Sequence, residues 1–355
     1  MGKPRNNQGK RSPYQQTALF ADTADDLVTM QGGVDVRQRK AAATSELEAP
    51  IEINNSTSSF RFISFGSGSS GNCSYIGNDK GGFLIDAGVD IKTVLEEMKK
   101  NSIRPESLMG ICLTHDHGDH IRYAYSFLRK YRTMALYCTN RVLNGILRRH
   151  NISHRIKDYH HPIYKEIPFK VGDFEVTAFD VPHDGSCNSG FSIAYGDARF
   201  VLATDLGSVT DRARHYMTDA NYLVIESNYD AKMLDNGTYP EYLKSRIRAG
   251  NGHMNNADTA AFLKEIASPK LKYVFLCHLS HDNNTPEIAR RCSAEALEAA
   301  GLTVGEGNGT LTDDSKDVQL VVLPRFDATR YYKFYLNLPP KENLRENKQD
   351  ENLCK

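Results

Sequence analysis

Residues 115–120 read His-Asp-His-Gly-Asp-His and follow the apolar run Ile111, Cys112, Leu113. His115, His117, Asp119 and His120 therefore crowd four metal-ligating side chains into one turn at the end of a buried strand. In an extended turn alternate residues point the same way, so His115 and His117 can reach one ion. Asp119 and His120 open the next helix and can point to a second position. Imidazole nitrogen with carboxylate oxygen suits zinc, or manganese or iron where oxygen ligands dominate. A turn of solvated histidines is the bland alternative, and the density of ligand types argues against it.

A two-ion site needs further ligands, and three candidates sit at strand ends: His183 in VPHDG, Asp205 closing RFVLATD, and His278 closing YVFLCH. Each alone reads as a cap or a surface group. Their shared place, the C-terminal end of an apolar strand, points to one site. Asp86 in FLIDAG also ends a strand and is placed to orient the loop bearing the histidine run. Asp184, beside His183, can hydrogen-bond a ligand. Glu226 ends another strand, where positioning a histidine and capping the strand are equally good readings.

Strand-like and helix-like segments alternate to deliver these residues. Strands are expected over 61–66, 74–77, 82–88, 109–115, 221–227, 271–278 and 318–324, and hairpins over 167–181 and 190–205 with turns at Gly172-Asp173 and Gly196-Asp197. Helices are expected over 89–101, 119–130, 140–150, 257–267 and 285–300. This pattern is an α/β (α+β) fold in which two sheets pack together with helices outside. Residues 1–58, polar and without hydrophobic periodicity, read as a disordered extension, and 326–355 as a C-terminal tail.

Composition narrows the classes. The 355 residues are 40% hydrophobic and 25% charged, ample for a large core. Lys plus Arg and Asp plus Glu each number 44, so net charge argues neither for nor against a nucleic-acid partner. No apolar stretch suits a membrane span or a signal peptide, and the seven cysteines include no CxxC pair. A cytoplasmic protein with reduced thiols and no membrane partner is expected. Oligomeric state is left open.

With HDHGDH, His183, Asp205 and His278 in place, the chain resembles the metallo-β-lactamase superfamily from about Phe60 to Val322. That resemblance implies a four-layer αββα sandwich with two divalent metal ions, zinc or manganese, at one edge. It assigns one ion to His115, His117 and His183, the other to Asp119, His120 and His278, and a bridging role to Asp205. The catalytic set it implies is Asp119, Asp205 and a hydroxide between the ions, which are about 3.5–4 Å apart in such sites.

Four features bear on the substrate. An Asp, not a Cys, stands at position 205, and with no secretory signal this disfavours a β-lactam. The run FGSGSSGNCSYI (65–76) brings backbone N–H groups and the side chains of Ser67, Ser69, Ser70 and Asn72 within reach of a phosphate, although a plain flexible loop would look the same. His253 in GNGHMNNADTAA precedes a helix capped by Asn255 or Asn256, well placed to hold a phosphate oxygen or protonate a leaving alkoxide. This stretch resembles a segment of the superfamily's tRNA-processing phosphodiesterases. Finally, residues 121–157 contain nine Lys or Arg, Arg122 first, and no acid. Such a flank suits a phosphate backbone. Tyr123, Tyr125 and Tyr131, interleaved with it, could stack on bases or pack in the core.

Spacing narrows the branch. His183 and Asp205 are 22 positions apart, too few for the long arm of tRNA 3′-processing enzymes, and Asp205 and His278 are 73 apart, too few for the β-CASP insert. The motifs SFGSGSSGNCSYI, LIDAG, LTHDHGDH, ESNYD, GHMNN and CHLSHDNN resemble the compact YycJ/WalJ (VicX) family. This implies a 5′→3′ exonuclease on double-stranded DNA linked to DNA repair; Arg122 of the basic flank and Asn255 beside His253 are candidate substrate contacts read from their positions. Tyr229 in ESNYD and Asn255 in GHMNN depart from the family's more frequent His and Ser, which bears on polarity and strand preference. An RNA phosphodiesterase, or a thioesterase of the glyoxalase II kind, is the alternative on the same metals.

Overall fold

The computed structural model describes residues 59–307 and 315–336. The expected extension at 1–58 lies outside these residues. Chain order begins with strands β1 (Ser59–Gly66), β2 (Cys73–Gly77), β3 (Gly82–Ile85), β4 (Leu108–Cys112), β5 (Ala135–Cys138) and β6 (His160–Pro162). It continues with β7 (Phe169–Val171), β8 (Phe174–Asp180), β9 (Ser189–Tyr195), β10 (Ala198–Ala203), β11 (Tyr222–Glu226), β12 (Tyr273–Cys277), β13 (Val304–Gly305), β14 (Val318–Val322) and β15 (Tyr332–Tyr335). The α-helices are α1 (Ile91–Lys100), α2 (Gly118–Ile121), α3 (Ala124–Lys130), α4 (Asn140–Arg149), α5 (Asp211–Thr218), α6 (Ala231–Asn236), α7 (Glu241–Arg248), α8 (Asn256–Ile266) and α9 (Pro286–Ala299).

The strands form two sheets, ordered β15-β1-β2-β3-β4-β5-β6 and β13-β14-β12-β11-β10-β9-β8-β7. Period-two alternation in β1 sends Phe60 and Phe62 to one face and Ile63 and Phe65 to the other. The first pair joins Phe174, Phe200, Val224 and Phe275 of the second sheet in a core between the sheets. The second pair packs with Val94 and Met98 of α1, Phe127 of α3 and Val142 and Ile146 of α4. On the far face of the second sheet, Val201, Leu223 and Leu276 pack against α5, α8 and α9 through Met217, Leu263 and Leu297. Helix, sheet, sheet, helix is the expected αββα order. Both expected hairpins form, with Gly172 (φ 58°) and Gly196 (φ 61°) taking the left-handed conformation that their two-residue turns need.

Two expectations are corrected. The helix expected over 119–130 is broken into α2 and α3 because the backbone there is claimed by the loop after β3. Ala87 donates to the His120 carbonyl at 2.7 Å, and the Tyr123 N–H donates to the Ala87 carbonyl at 2.8 Å rather than continuing the helix. The expected tail from 326 contains β15, which pairs antiparallel with β1, so the sandwich continues to about Leu336. Phe334 is buried there against Phe60, Tyr222 and Tyr273. Strand patterning in a segment this short, behind the polar run 325–330, was too brief to read as an element. Phe334→Ala is expected to lower unfolding stability by about 3–5 kcal/mol in urea titration; a loss under about 1 kcal/mol would show that β15 is not part of the folded core.

Candidate metal centre

The strand ends converge on one edge of the sandwich. Three of the residues delivered there, Asp86, Asp205 and His278, adopt left-handed backbone (φ 58°, 52° and 55°). A non-glycine residue in that region costs about 1–3 kcal/mol and is usually retained where function fixes it. Each turns the chain sharply out of β3, β10 or β12 and aims a side chain along the sheet edge.

Within this edge, one nitrogen or oxygen from each of His115, His117 and His183 lies within 4.8 Å of the others, and the same holds for Asp119, His120 and His278 and for His115, His120 and Asp205. Asp205 touches both halves: its carboxylate is 3.2 Å from His120 Nε2 and 3.6 Å from His183 Nε2. The imidazoles of His115 and His120 are 4.1 Å apart between centroids, and His115, His117 and His183 lie 4.5–5.1 Å apart.

The hydrogen bonds of the buried histidines orient their free nitrogens. Nδ1 of His120 donates to Asp86 at 2.7 Å, Nδ1 of His183 to the Gly252 carbonyl at 3.0 Å, and Nδ1 of His278 to Glu226 at 2.8 Å. Nδ1 of His115 meets the Thr114 hydroxyl at 3.0 Å. In the neutral form this leaves each Nε2 lone pair directed into the cluster, and for His120, whose carboxylate neighbours favour the protonated ring, a metal would take the proton's place. Nε2 of His115 and of His278 are buried with no hydrogen-bond partner at all. Orphaned buried acceptors are costly in a protein interior, and a divalent cation satisfies them. The donor set therefore fits divalent metal ions, and the side chains named from the sequence as candidate ligands lie together at this edge.

Electrostatics follow the same division. Burial, with His120 nearby, holds the His115 imidazole well below its ordinary pKa, and burial with His183 lowers His117, so both are neutral and ready to ligate. Burial opposes charge on His120, but Asp86, Asp205 and Asp119 outweigh it and raise its pKa. Burial likewise opposes ionisation of Asp205, yet His278 and His120 hold its carboxyl far below the usual range. Glu226 behaves the same way, held low by His253 and His278 against its own burial.

Glu226 is more than a strand cap. Its Oε1 accepts from Nδ1 of both His278 and His253, at 2.8 and 2.7 Å, and its Oε2 accepts from the Leu206 N–H at 2.7 Å. Against its burial, this carboxylate lifts the His253 pKa to about 9. The His253 ring sits 5.1 Å from His183 and 5.2 Å from His278, beside both halves of the site. Asp184 is bound by Nε of Arg246 at 2.8 Å and lies 3.4 Å from His117 Nε2.

The residues expected to touch substrate divide. Ser67 is buried and accepts from the His278 N–H at 3.0 Å, and the buried Asn72 amide lies 3.3 Å from Asp119 and 3.0 Å from His120 Nε2. Both brace ligands. Asn255 caps α8, with Oδ1 accepting from the Asp258 N–H and Nδ2 donating to the Asp258 carboxylate, so its side chain is fully engaged. Ser69 and Arg122 are exposed and Ser70 is half-buried beside them.

Sequence reasoning missed Asp116. It is fully buried and accepts from the Ser186 backbone at 2.8 Å and hydroxyl at 2.7 Å, tying the histidine run to the loop that carries His183. The alternation that puts His115 and His117 on one side puts Asp116 on the other, which was the available signal. Thr114, whose hydroxyl donates to Asp86 at 2.8 Å, and Asn228, which donates to the His278 carbonyl at 2.7 Å, were also missed.

Residues 82–278 match the β-lactamase superfamily domain. The chain is 34% identical to exodeoxyribonuclease YycJ of Bacillus anthracis over 251 residues, covering 69% of this chain and 92% of that one. It is 32% identical to exodeoxyribonuclease WalJ of Streptococcus pneumoniae over 246 residues, covering 69% and 91%. The chain belongs to the metallo-β-lactamase superfamily and, within it, to the YycJ/WalJ family. In fold it is similar to the metallo-β-lactamase fold protein YhfI of Bacillus subtilis (TM-score 0.55, 14% identity, 77% and 99% covered). It is equally similar to zinc-bound PqqB of Methylobacterium extorquens (TM-score 0.55, 17% identity, 76% and 99% covered). It is a metallo-β-lactamase-fold hydrolase acting on ester bonds. Among the described residues no helix is long and apolar enough to cross a membrane.

Asp86 holds His120 through Nδ1 and is in none of the clusters that could hold an ion. Asp86→Asn is therefore expected to weaken metal binding about 10–100-fold while the protein stays folded, as read by titration calorimetry with zinc. Unchanged affinity would remove Asp86 from the ligand-positioning role.

Proposed function

We propose that this hydrolase is a phosphodiesterase that degrades double-stranded DNA from the 5′ end, with zinc or manganese as its ions. The observation that carries the substrate class is the surface beside the site. All nine basic residues of 121–157 are exposed: Arg122, Arg129, Lys130, Arg132, Arg141, Arg148, Arg149, Arg155 and Lys157. They spread over α2–α4 and the turn beyond, following directly on the ligands Asp119 and His120. In a chain with equal numbers of acids and bases, a run of nine exposed cations with no acid among them is suited to a phosphate backbone, although Arg149 pairs with Asp116 and Arg155 with Asp158. A small thioester has no use for it. The exodeoxyribonuclease names of the YycJ and WalJ relatives support the same reading. Tyr123, Tyr125 and Tyr131 pack partly into the core beneath this face, which leaves the cations as its main feature.

When bound, the two ions supply an activated hydroxide at neutral pH and offset charge on the phosphoryl oxygens. The protein's own groups do the rest. His115, His117 and His183 would hold one ion, Asp119, His120 and His278 the other, and Asp205 would contribute to both. His253, held through Nδ1 by Glu226, donates from its other nitrogen to the leaving oxygen. The cationic face holds the duplex in register for the next bond.

The test is purified protein with end-labelled duplex and single-stranded DNA and RNA, with zinc or manganese added. Duplex DNA is expected to lose its 5′ label first. Preference for RNA, or release of the 3′ label first, would contradict the reading. Asp205→Ala is expected to reduce turnover by more than about 10³-fold. If Arg141 and Arg148 each contact phosphate, the double Gln variant lowers the slope of log affinity against log salt by about 1.8; an unchanged slope would take the duplex off this face.

A further inference from the structure

The Gly/Ser loop has two faces. One braces the metal ligands through Ser67 and Asn72. The other forms the wall of a separate cavity of about 210 Å³, lined by Ser70, Gly71, Asp90, Arg122, Arg325 and Phe326 among others. None of these is a metal ligand, and Arg325 and Phe326 lie in the part of the chain that sequence reasoning assigned to the core boundary and the tail.

The cavity is built around two guanidinium groups. Arg122 is held in place by donating to the Ser70 carbonyl at 3.2 Å. Arg325 lies across the loop: its side chain comes within 3.3 Å of where a Cβ on Gly68 would stand, and its Nη2 donates to the Leu279 carbonyl at 2.5 Å. The Ser67 N–H donates to the Pro324 carbonyl at 3.1 Å, which fixes the segment bearing Arg325 to the loop. One carboxylate, Asp90, shares the cavity, and it already accepts from the Lys92 and Thr93 N–H groups at the start of α1. Within the lining two cations face one carboxylate, with Asp282 also acting on Arg325 from outside it, so the cavity itself stays cationic. At its rim Phe326 is 65% exposed, an isolated aromatic face beside the Arg325 guanidinium (5.7 Å from the ring centroid).

The cavity also adjoins the chemistry. Gly71 and Gly88 form its inner wall and touch each other so closely that a Cβ on Gly71 would lie 2.6 Å from the Gly88 carbonyl. The Asn72 N–H donates to the carbonyl of the ligand Asp119 at 2.8 Å, and a Cβ on Gly88 would collide with that same carbonyl. A group in the cavity is thus one backbone layer from the metal ligands.

We propose that this cavity binds a phosphate of the DNA strand, held between Arg122 and Arg325, with the adjoining base stacked on Phe326. The inference rests on the nuclease reading and names a second phosphate position for it. Two cations in a fixed cleft recognise a phosphate, and an exposed aromatic ring accepts any base face. The phosphate is either the free 5′-terminal group or an internal diester, and the two have different consequences.

The experiment measures hydrolysis of duplex DNA bearing a 5′-phosphate or a 5′-hydroxyl by the wild type, Arg325→Gln and Phe326→Ala, with melting temperature as a folding control. Phe326→Ala removes an exposed ring, so it keeps the test informative if Arg325→Gln is unstable. Both variants are expected to raise KM about tenfold, with the loss in KM rather than in kcat. Loss confined to the 5′-phosphorylated substrate identifies the terminal group, and equal loss on both identifies an internal phosphate. A wild type that cleaves DNA while Phe326→Ala and any folded Arg325→Gln match it in KM on both ends would overturn the cavity's role alone. A wild type that cleaves no DNA would overturn the nuclease reading and this inference with it.

Discussion

Everything in this molecule turns on bringing six buried or half-buried candidate ligands and the carboxylate of Asp205 between them to one edge of a sandwich. Five of them come from the ends of strands or the loops that follow, and Asp119 and His120 begin a helix. The fold achieves this by bending the chain hard where strands end, with left-handed backbone at Asp86, Asp205 and His278. That strain and the desolvation of so many imidazoles would be a defect in a metal-free core. They become intelligible once the unpartnered nitrogens of His115 and His278 are read as lone pairs directed at ions.

A second layer keeps those lone pairs aimed. Asp86, Glu226, Thr114 and the Gly252 carbonyl each take the far nitrogen of a ligand histidine. Asp116 and Ser67 then tie the ligand loops to one another and to the Gly/Ser loop. Glu226 accepts from the candidate ligand His278 and the candidate proton donor His253 with the same oxygen, so one buried carboxylate positions both rings.

Much of this was legible in the sequence because it obeys short-range rules. Alternation at a strand end gave the direction of His115 and His117, apolar runs ending in His or Asp gave His183, Asp205 and His278, and glycine turns gave both hairpins. What was not legible depends on distant contacts. The break between α2 and α3 is imposed by Ala87, over thirty positions upstream of Tyr123. Strand β15 exists because β1 has an open edge and an aromatic core ready for Phe334. Ser67 and Asn72 looked like substrate donors from their loop, and only the folded chain shows that they face the ligands while Ser70 and Arg122 face outward.

These seven side chains are expected to hold two divalent ions, with Asp205 between them. Anomalous diffraction from crystals grown with zinc or manganese tests it most directly. The account predicts two peaks about 3.5–4 Å apart, one among His115, His117 and His183 and the other among Asp119, His120 and His278, with the Asp205 carboxylate touching both. A single peak, or peaks lying away from Asp205, would contradict it.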